Sequence, residues 1–217
     1  MIYAYAVCRR EAIDRPPRRR GLGGAALRLA TVDGLAAVYS RHRSLRPRPS
    51  PELLWAHERT VGALMSHDAV LPMRFGTVLA DEAALVEALG RRRHELAANL
   101  DRVRGRVELG VRVLADAGER PDAATGRDYL LARVEEHRAA ERAARDIHPP
   151  LAALARDSRT RPPTGPGTLF AAAYLVDRRD VPAFRGEVER AAAAAGLRAV
   201  LTGPWPAYSF AETEEDS

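Results

Sequence analysis

Apolar and polar positions alternate from Ile2 to Val7, which predicts a strand. A loop over 15–24 follows. Ala25–Val32 and Leu35–Ser40 flank Asp33-Gly34, a strong signal for a hairpin. Ser50-Pro51-Glu52 combines an N-cap, a first-turn proline and an acid facing the helix dipole. Leu54, Val61, Leu64 and Met65 then mark one apolar helix face to about His67. Ala69–Leu79 reads as extended, broken at Pro72 and Gly76. Asp81 caps one further helix, with Leu85, Leu89, Leu96, Leu100 and Val103 at helical spacing and Gly105 at its end.

The second half opens with the alternating strand Arg106–Leu114, then a polar turn through Pro121. A long helix from about Arg127 to Asp146 is interrupted at Pro149-Pro150, and Leu151–Arg156 adds a further helical segment. Residues 161–167 (RPPTGPG) read as a loop or linker and Leu169–Val176 as a strand. A helix starting at Asp180 and Pro182 places Phe184, Val188 and Ala192 on one face; Gly196 closes it and Leu197–Leu201 forms the last strand. The predicted order is βββαβα followed by βαβαβ. This is an α+β chain of two domains, 1–105 and 106–217, the second a split-βαβ, ferredoxin-like arrangement. The acidic end TEEDS is expected to fray.

Composition narrows the classes. The 217 residues include 41 alanines and only 6% aromatics, so a few aromatic anchors must carry much of the core. All 34 basic residues are arginine, which weakens the pI of 9.9 as a sign of a nucleic-acid partner. The basic excess is local: residues 1–50 hold eleven arginines against three acids. Two proline-rich loops carry it, one with Arg15, Arg18, Arg19 and Arg20, the other with Arg41, Arg43, Arg46 and Arg48. They are either solvated loops or a docking surface for an acidic partner. One cysteine, Cys8, excludes an internal disulfide and reads as a small buried hydrophobe. No apolar run approaches the ~20 residues of a membrane helix, and no secretory signal opens the chain. A cytoplasmic protein is expected.

Few residues suggest chemistry. Gly21–Ala26 formally fits GxGxxA, but a loop precedes it, a strand follows it and no acid lies near position 46, so a dinucleotide site is rejected. His57-Glu58 begins like a metalloprotease motif, yet position 61 is Val and the second ligand is missing. Both side chains tend toward the core, where the acid needs a partner; Arg74 is the candidate. A structural tie is one reading of His57, Glu58 and Arg74, and an acid/base enzyme is the other. No zinc-finger, RRM or helix-turn-helix pattern supports the further alternative of a basic-surface nucleic-acid binder.

Two segments are more specific. Residues 56–78 (AHERTVGALMSHDAVLPMRFGTV) and 203–210 (GPWPAYSF) resemble the gas vesicle GvpL/GvpF family. Its members carry a His-Glu pair on a helix, a vlP-x-rFGT segment and a terminal GPWPPYsF. The matching residues are His57-Glu58; Val70-Leu71-Pro72-Met73-Arg74-Phe75-Gly76-Thr77; and Gly203-Pro204-Trp205-Pro206-Ala207-Tyr208-Ser209-Phe210. Tyr3-Ala4-Tyr5, residues 105–113 (GRVELGVRV), 126–133 (GRDYLLAR) and 173–176 (AYLV) match in the same order. Ala207 departs from a second proline, and Pro149-Pro150 departs within the long helix.

The resemblance implies a non-enzymatic accessory or minor structural protein of gas vesicles, the hollow gas-filled protein shells that give cells buoyancy. It implies binding to the small, very hydrophobic shell subunit, and to other gas vesicle accessory proteins. No cofactor, metal, nucleic acid or membrane is implied, and the location is the gas vesicle or the cytoplasm. A two-domain fold with a ferredoxin-like second domain is implied as well. The tail aromatics either pack onto the fold or form an apolar landing surface for that subunit. Alanine at Phe75 or Trp205 is expected to destabilise by a few kcal/mol where the ring is buried, against ~3–5 for core aromatics.

Overall fold

The computed structural model describes residues 1–44, 47–67, 69–115, 126–165 and 167–211. Arg46, the turn through Pro121 and the acidic end lie outside the described residues. The chain is α+β and divides into two compact units: Met1–Arg106 with the terminal segment from Trp205, and Val107–Pro204. The terminal segment therefore groups with the first unit, whereas the sequence expectation grouped it with the second. Its hydrogen bonds explain this: the Asn99 amide donates to the Ala211 carbonyl at 3.3 Å, and Arg102 donates to the Phe210 carbonyl.

In the first unit, β1 (Ile2–Arg9) is central and buried nearly throughout. It pairs antiparallel with β3 (Leu35–Arg41) on one side and with β4 (Val70–Pro72) and β5 (Val78–Leu79) on the other. β2 (Leu27–Val32) completes the sheet against β3. Asp33 and Gly34 both take positive φ, 46° and 80°, as a tight turn that follows strand twist requires. The β1–β3 register slips between Ala4 and Ala6, leaving Tyr5 as the extra residue of a bulge.

Helix α1 (Pro51–Gly62) starts where expected. The Ser50 hydroxyl accepts from the Leu53 N–H, and the turn buries His57, Thr60 and Val61. The single helix expected after Asp81 is two: α2 (Glu82–Arg91) and α3 (Arg93–Val103). Arg92 leaves the helical region at φ −102°, ψ 15°, and its guanidinium closes onto Glu95 at the start of α3. The apolar spacing bridges the break, because α2 and α3 bury one continuous set of leucines.

The second unit contains β6 (Arg106–Leu114, from its second residue), α4 (Gly126–Leu154), β7 (Asp157–Arg161), β8 (Thr168–Asp177), α5 (Val181–Ala194) and β9 (Arg198–Trp205). Its sheet has the order β7-β8-β6-β9. Two expectations are corrected here. Pro149 and Pro150 do not interrupt the long helix, which runs through them to Leu154. Ala143, Ile147 and Leu151, all fully buried, hold that stretch in the core against the ~3 kcal/mol an interior proline costs. And β7 covers residues 157–160, for which the sequence pattern predicts no element, together with Arg161, the first residue of the expected loop. Its residues DSRTR carry no apolar alternation because it is an edge strand, paired antiparallel with β8 from Asp157–Leu175 to Arg161–Ala171. Charged edge residues of this kind also discourage unwanted pairing.

Candidate functional site

The motif residues of the first unit converge on one aromatic and polar cluster. Alternation along β1 sends Tyr3 and Tyr5 to the same side, and their rings lie 4.9 Å apart. α1 contributes His57, whose ring stacks on Tyr5 at 5.7 Å and meets Phe75 edge-on at 5.9 Å. Tyr3 also meets Phe75 edge-on at 6.1 Å. The tail adds Tyr208, 6.4 Å from His57.

The hydrogen bonds fix the imidazole's state. His57 Nε2 faces the Met73 carbonyl at 3.1 Å, and a carbonyl only accepts, so Nε2 carries the proton. Nδ1 then accepts from the Tyr3 hydroxyl at 2.9 Å. That hydroxyl in turn accepts the Gly76 N–H at 3.1 Å. Burial pushes His57 down to about 4, opposed by its bond to Met73, so the ring is neutral near pH 7. Burial pushes the Tyr3 hydroxyl up to about 12. Gly76 has φ +92°, a backbone conformation that favours glycine, and this turn delivers both Met73 and Phe75 to the histidine.

Tyr5 anchors a second chain of bonds. Its hydroxyl accepts the Leu22 N–H at 2.8 Å and lies 2.8 Å from the Ser40 hydroxyl, which reaches His42 Nε2 at 2.8 Å. Gly21 is needed beside it: a Cβ there would sit 2.2 Å from the Tyr5 oxygen.

Glu58 is half-buried. Burial raises its carboxyl above the usual range, and the nearby Tyr208 hydroxyl opposes that rise. Arg74 is exposed and borders an apolar cavity of about 270 Å³ with Leu85, Leu89 and Leu96. That cavity's lining includes neither His57 nor Glu58.

Of the remaining motif residues, Pro72 is buried in β4, and the Thr77 hydroxyl donates to the Arg74 carbonyl at 2.7 Å. Gly203 has φ +108° and precedes a cis bond to Pro204. Pro204 and Trp205 are exposed, the latter at 40%, while Pro206, Ala207 and Phe210 are buried. The anchoring expected of Trp205 falls to Phe210, which is fully buried. Tyr208 and Tyr5 stood in the motifs, but the His57 ring that Tyr208 meets and the Ser40–His42 pair that Tyr5 reaches lie far away in sequence. Only the apolar tilt of positions 57 and 58 hinted at them.

Arg15, Arg18, Arg19, Arg20, Arg41, Arg43 and Arg48 are all exposed. Arg41 pairs with Glu82 at 2.6 Å, and Arg19 donates to the Arg59 carbonyl at the end of α1. Leu54 and Trp55 on α1, and Leu130, Leu131 and Val134 on α4, are large apolar side chains left in solvent. Among the described residues no group of three or more His, Cys, Asp or Glu is placed to hold a metal ion, and no helix is long and apolar enough to cross a membrane.

Residues 1–212 match the family model described as gas vesicle synthesis protein GvpL/GvpF. Gas vesicle protein L of Streptomyces sp. (strain CB03234) is 33% identical, covering 99% of this chain and 94% of that protein. Gas vesicle protein F of the same strain is 31% identical, covering 97% and 99%. The fold is also similar to the crystal structure of GvpF from Anabaena sp. PCC7120, with a TM-score of 0.83 at 19% identity over 98% of this chain and 96% of that one.

Proposed function

The chain belongs to the gas vesicle synthesis protein GvpL/GvpF family, and from that premise we propose that it serves gas vesicle formation by binding the small hydrophobic shell subunit, without turnover. A subunit that hydrophobic aggregates before it assembles, and an accessory protein that covers its apolar face or strand edge delivers it to the growing shell. Other gas vesicle accessory proteins are further partners, and the place of action is the cytoplasm at the forming vesicle. We read the second unit as ferredoxin-like. The order β7-β8-β6-β9, with α4 and α5 as its two helical connections, supports that reading.

The observation that carries the binding reading is the state of His57. Both ring nitrogens are occupied, by Tyr3 and Met73, and the ring is stacked between aromatics. A general base needs a nitrogen within reach of substrate, and this one has none to offer. The family's His-Glu pair thus supports a structural lock that joins β1, the Pro72–Gly76 turn and the tail.

Glu58→Gln separates the two roles. Gln has nearly the same shape and keeps a carbonyl oxygen beside Tyr208, but it cannot donate or take up a proton as a carboxyl does. We expect a strain lacking the wild-type gene to recover gas vesicles at wild-type number when supplied with this variant, counted by electron microscopy. Loss of vesicles at an unchanged soluble level of the variant would favour acid/base chemistry at Glu58.

A further inference from the structure

The exposed face of α1 is not accounted for by the fold. Trp55 is 61% exposed and Leu54 41%, in a chain with two tryptophans. Exposed aromatic residues of this size are enriched where a partner docks. Trp55, Arg59 and Gly62 recur at helical spacing on the solvent side, and the turn that continues α1 carries the same strip on to Ser66. Trp55 and Gly62 lie seven positions apart, roughly 10 Å along the helix axis, and Ser66 lies in the turn beyond.

The strip ends at an open notch of about 480 Å³. Arg15, Arg18 and Arg19 form one wall; Ser66 and His67 face them. No acidic side chain lines it among the described residues, and Arg15 and Arg18 make no ion pair with a described residue. Pro16 and Pro17 stiffen the loop, and the Arg19 bond to the Arg59 carbonyl ties it to the end of α1. The arginines are therefore held beside the helix, at a set distance from the tryptophan.

We propose that this face is a docking surface for an amphipathic helix of a partner chain, one that places large apolar side chains on Leu54 and Trp55 and carboxylates in the arginine notch. Charge complementarity selects this occupant. A purely apolar partner would leave three arginines against uncharged surface, and a basic one would be repelled. The inference rests on the reading that the chain acts by binding, and it names the surface through which it does so.

Trp205→Phe leaves Trp55 as the one tryptophan, whose emission reports its own burial. The probe is a synthetic amphipathic peptide of about 18 residues, ~27 Å as a helix, with Leu on one face and Glu in its last turns. A control peptide has Lys in place of Glu. We expect the Glu peptide to shift Trp55 emission to the blue and the Lys peptide to bind on the order of ten-fold more weakly. The exposed double change Arg15→Glu, Arg18→Glu should reverse that preference. No shift with either peptide, equal response to both, or no reversal would overturn the proposal. So would a blue shift on concentrating the chain alone, which would assign the face to a second copy. Because no shell subunit is present, failure here leaves subunit binding standing, and failure of subunit binding does not alter this titration.

Discussion

Phe210→Ala is expected to lower the stability of the first unit by about 3–5 kcal/mol, the range for emptying a core aromatic site. The side chain is fully buried between Ala207 and Ala211, themselves buried. Its backbone is held by Arg102, and that of Ala211 by Asn99. Truncation leaves a cavity that these fixed neighbours cannot collapse into. Against a typical total of 5–15 kcal/mol, the loss is a large fraction. Urea unfolding checks it: the midpoint should fall with the slope unchanged. A change below about 1 kcal/mol would show that the terminal segment is an appendage and not part of the core.

Acid should weaken the same unit through His57. Unfolded, the imidazole takes up its proton near 6.5; folded, not until about 4. Between those values the unfolded state binds more protons, so stability is fully present above pH 6.5 and is lost as pH falls toward 4. A shift of that size corresponds to about 3 kcal/mol. Glu58 acts in the opposite sense. Its carboxyl is raised, so the fold holds a proton there just above the ordinary carboxylate range, which offsets part of the loss at the acid end. His57→Gln removes the titrating ring and should flatten the profile between pH 7 and pH 4. Urea midpoints measured across that range test this. A wild-type profile already flat there would contradict a buried, neutral His57.

Much of this architecture was readable because local chemistry and tertiary demand agree. Ser50 and Asp81 cap helices where they were expected to, each accepting the N–H three residues on. Asp33-Gly34 turns the hairpin, β8 carries an apolar run that could only be buried, and β1 and β6 carry the alternation of strands. The failures occurred where tertiary packing overrides local preference. β7 is polar because only one edge of it is paired, so it shows no strand pattern. Pro149 and Pro150 stay helical because Ile147 and Leu151 pin the turns on either side. α2 and α3 share one apolar period across a backbone break that no residue type announces.

The site divides in the same way. Its members Tyr3, His57, Glu58, Phe75 and Tyr208 lay in the motif segments. Their roles were not readable, because the approach of the ring at position 208 to that at position 57 leaves no trace in spacing. Arg74 looked the better partner for Glu58, being a cation close in sequence. Arg74 is instead exposed beside a cavity whose lining lacks Glu58, and the nearby Tyr208 hydroxyl opposes the rise that burial gives the carboxyl.

Binding of the shell subunit without turnover is the function proposed for this chain. Its most direct test is co-expression with that subunit, followed by affinity capture of this chain from the soluble fraction at low and at high salt. The subunit is expected to be retained on the chain at low salt. Any part of it released at high salt measures the share carried by the arginine surfaces rather than by apolar contact. A subunit that stays insoluble, or is absent from the captured material at both salts, would contradict direct binding.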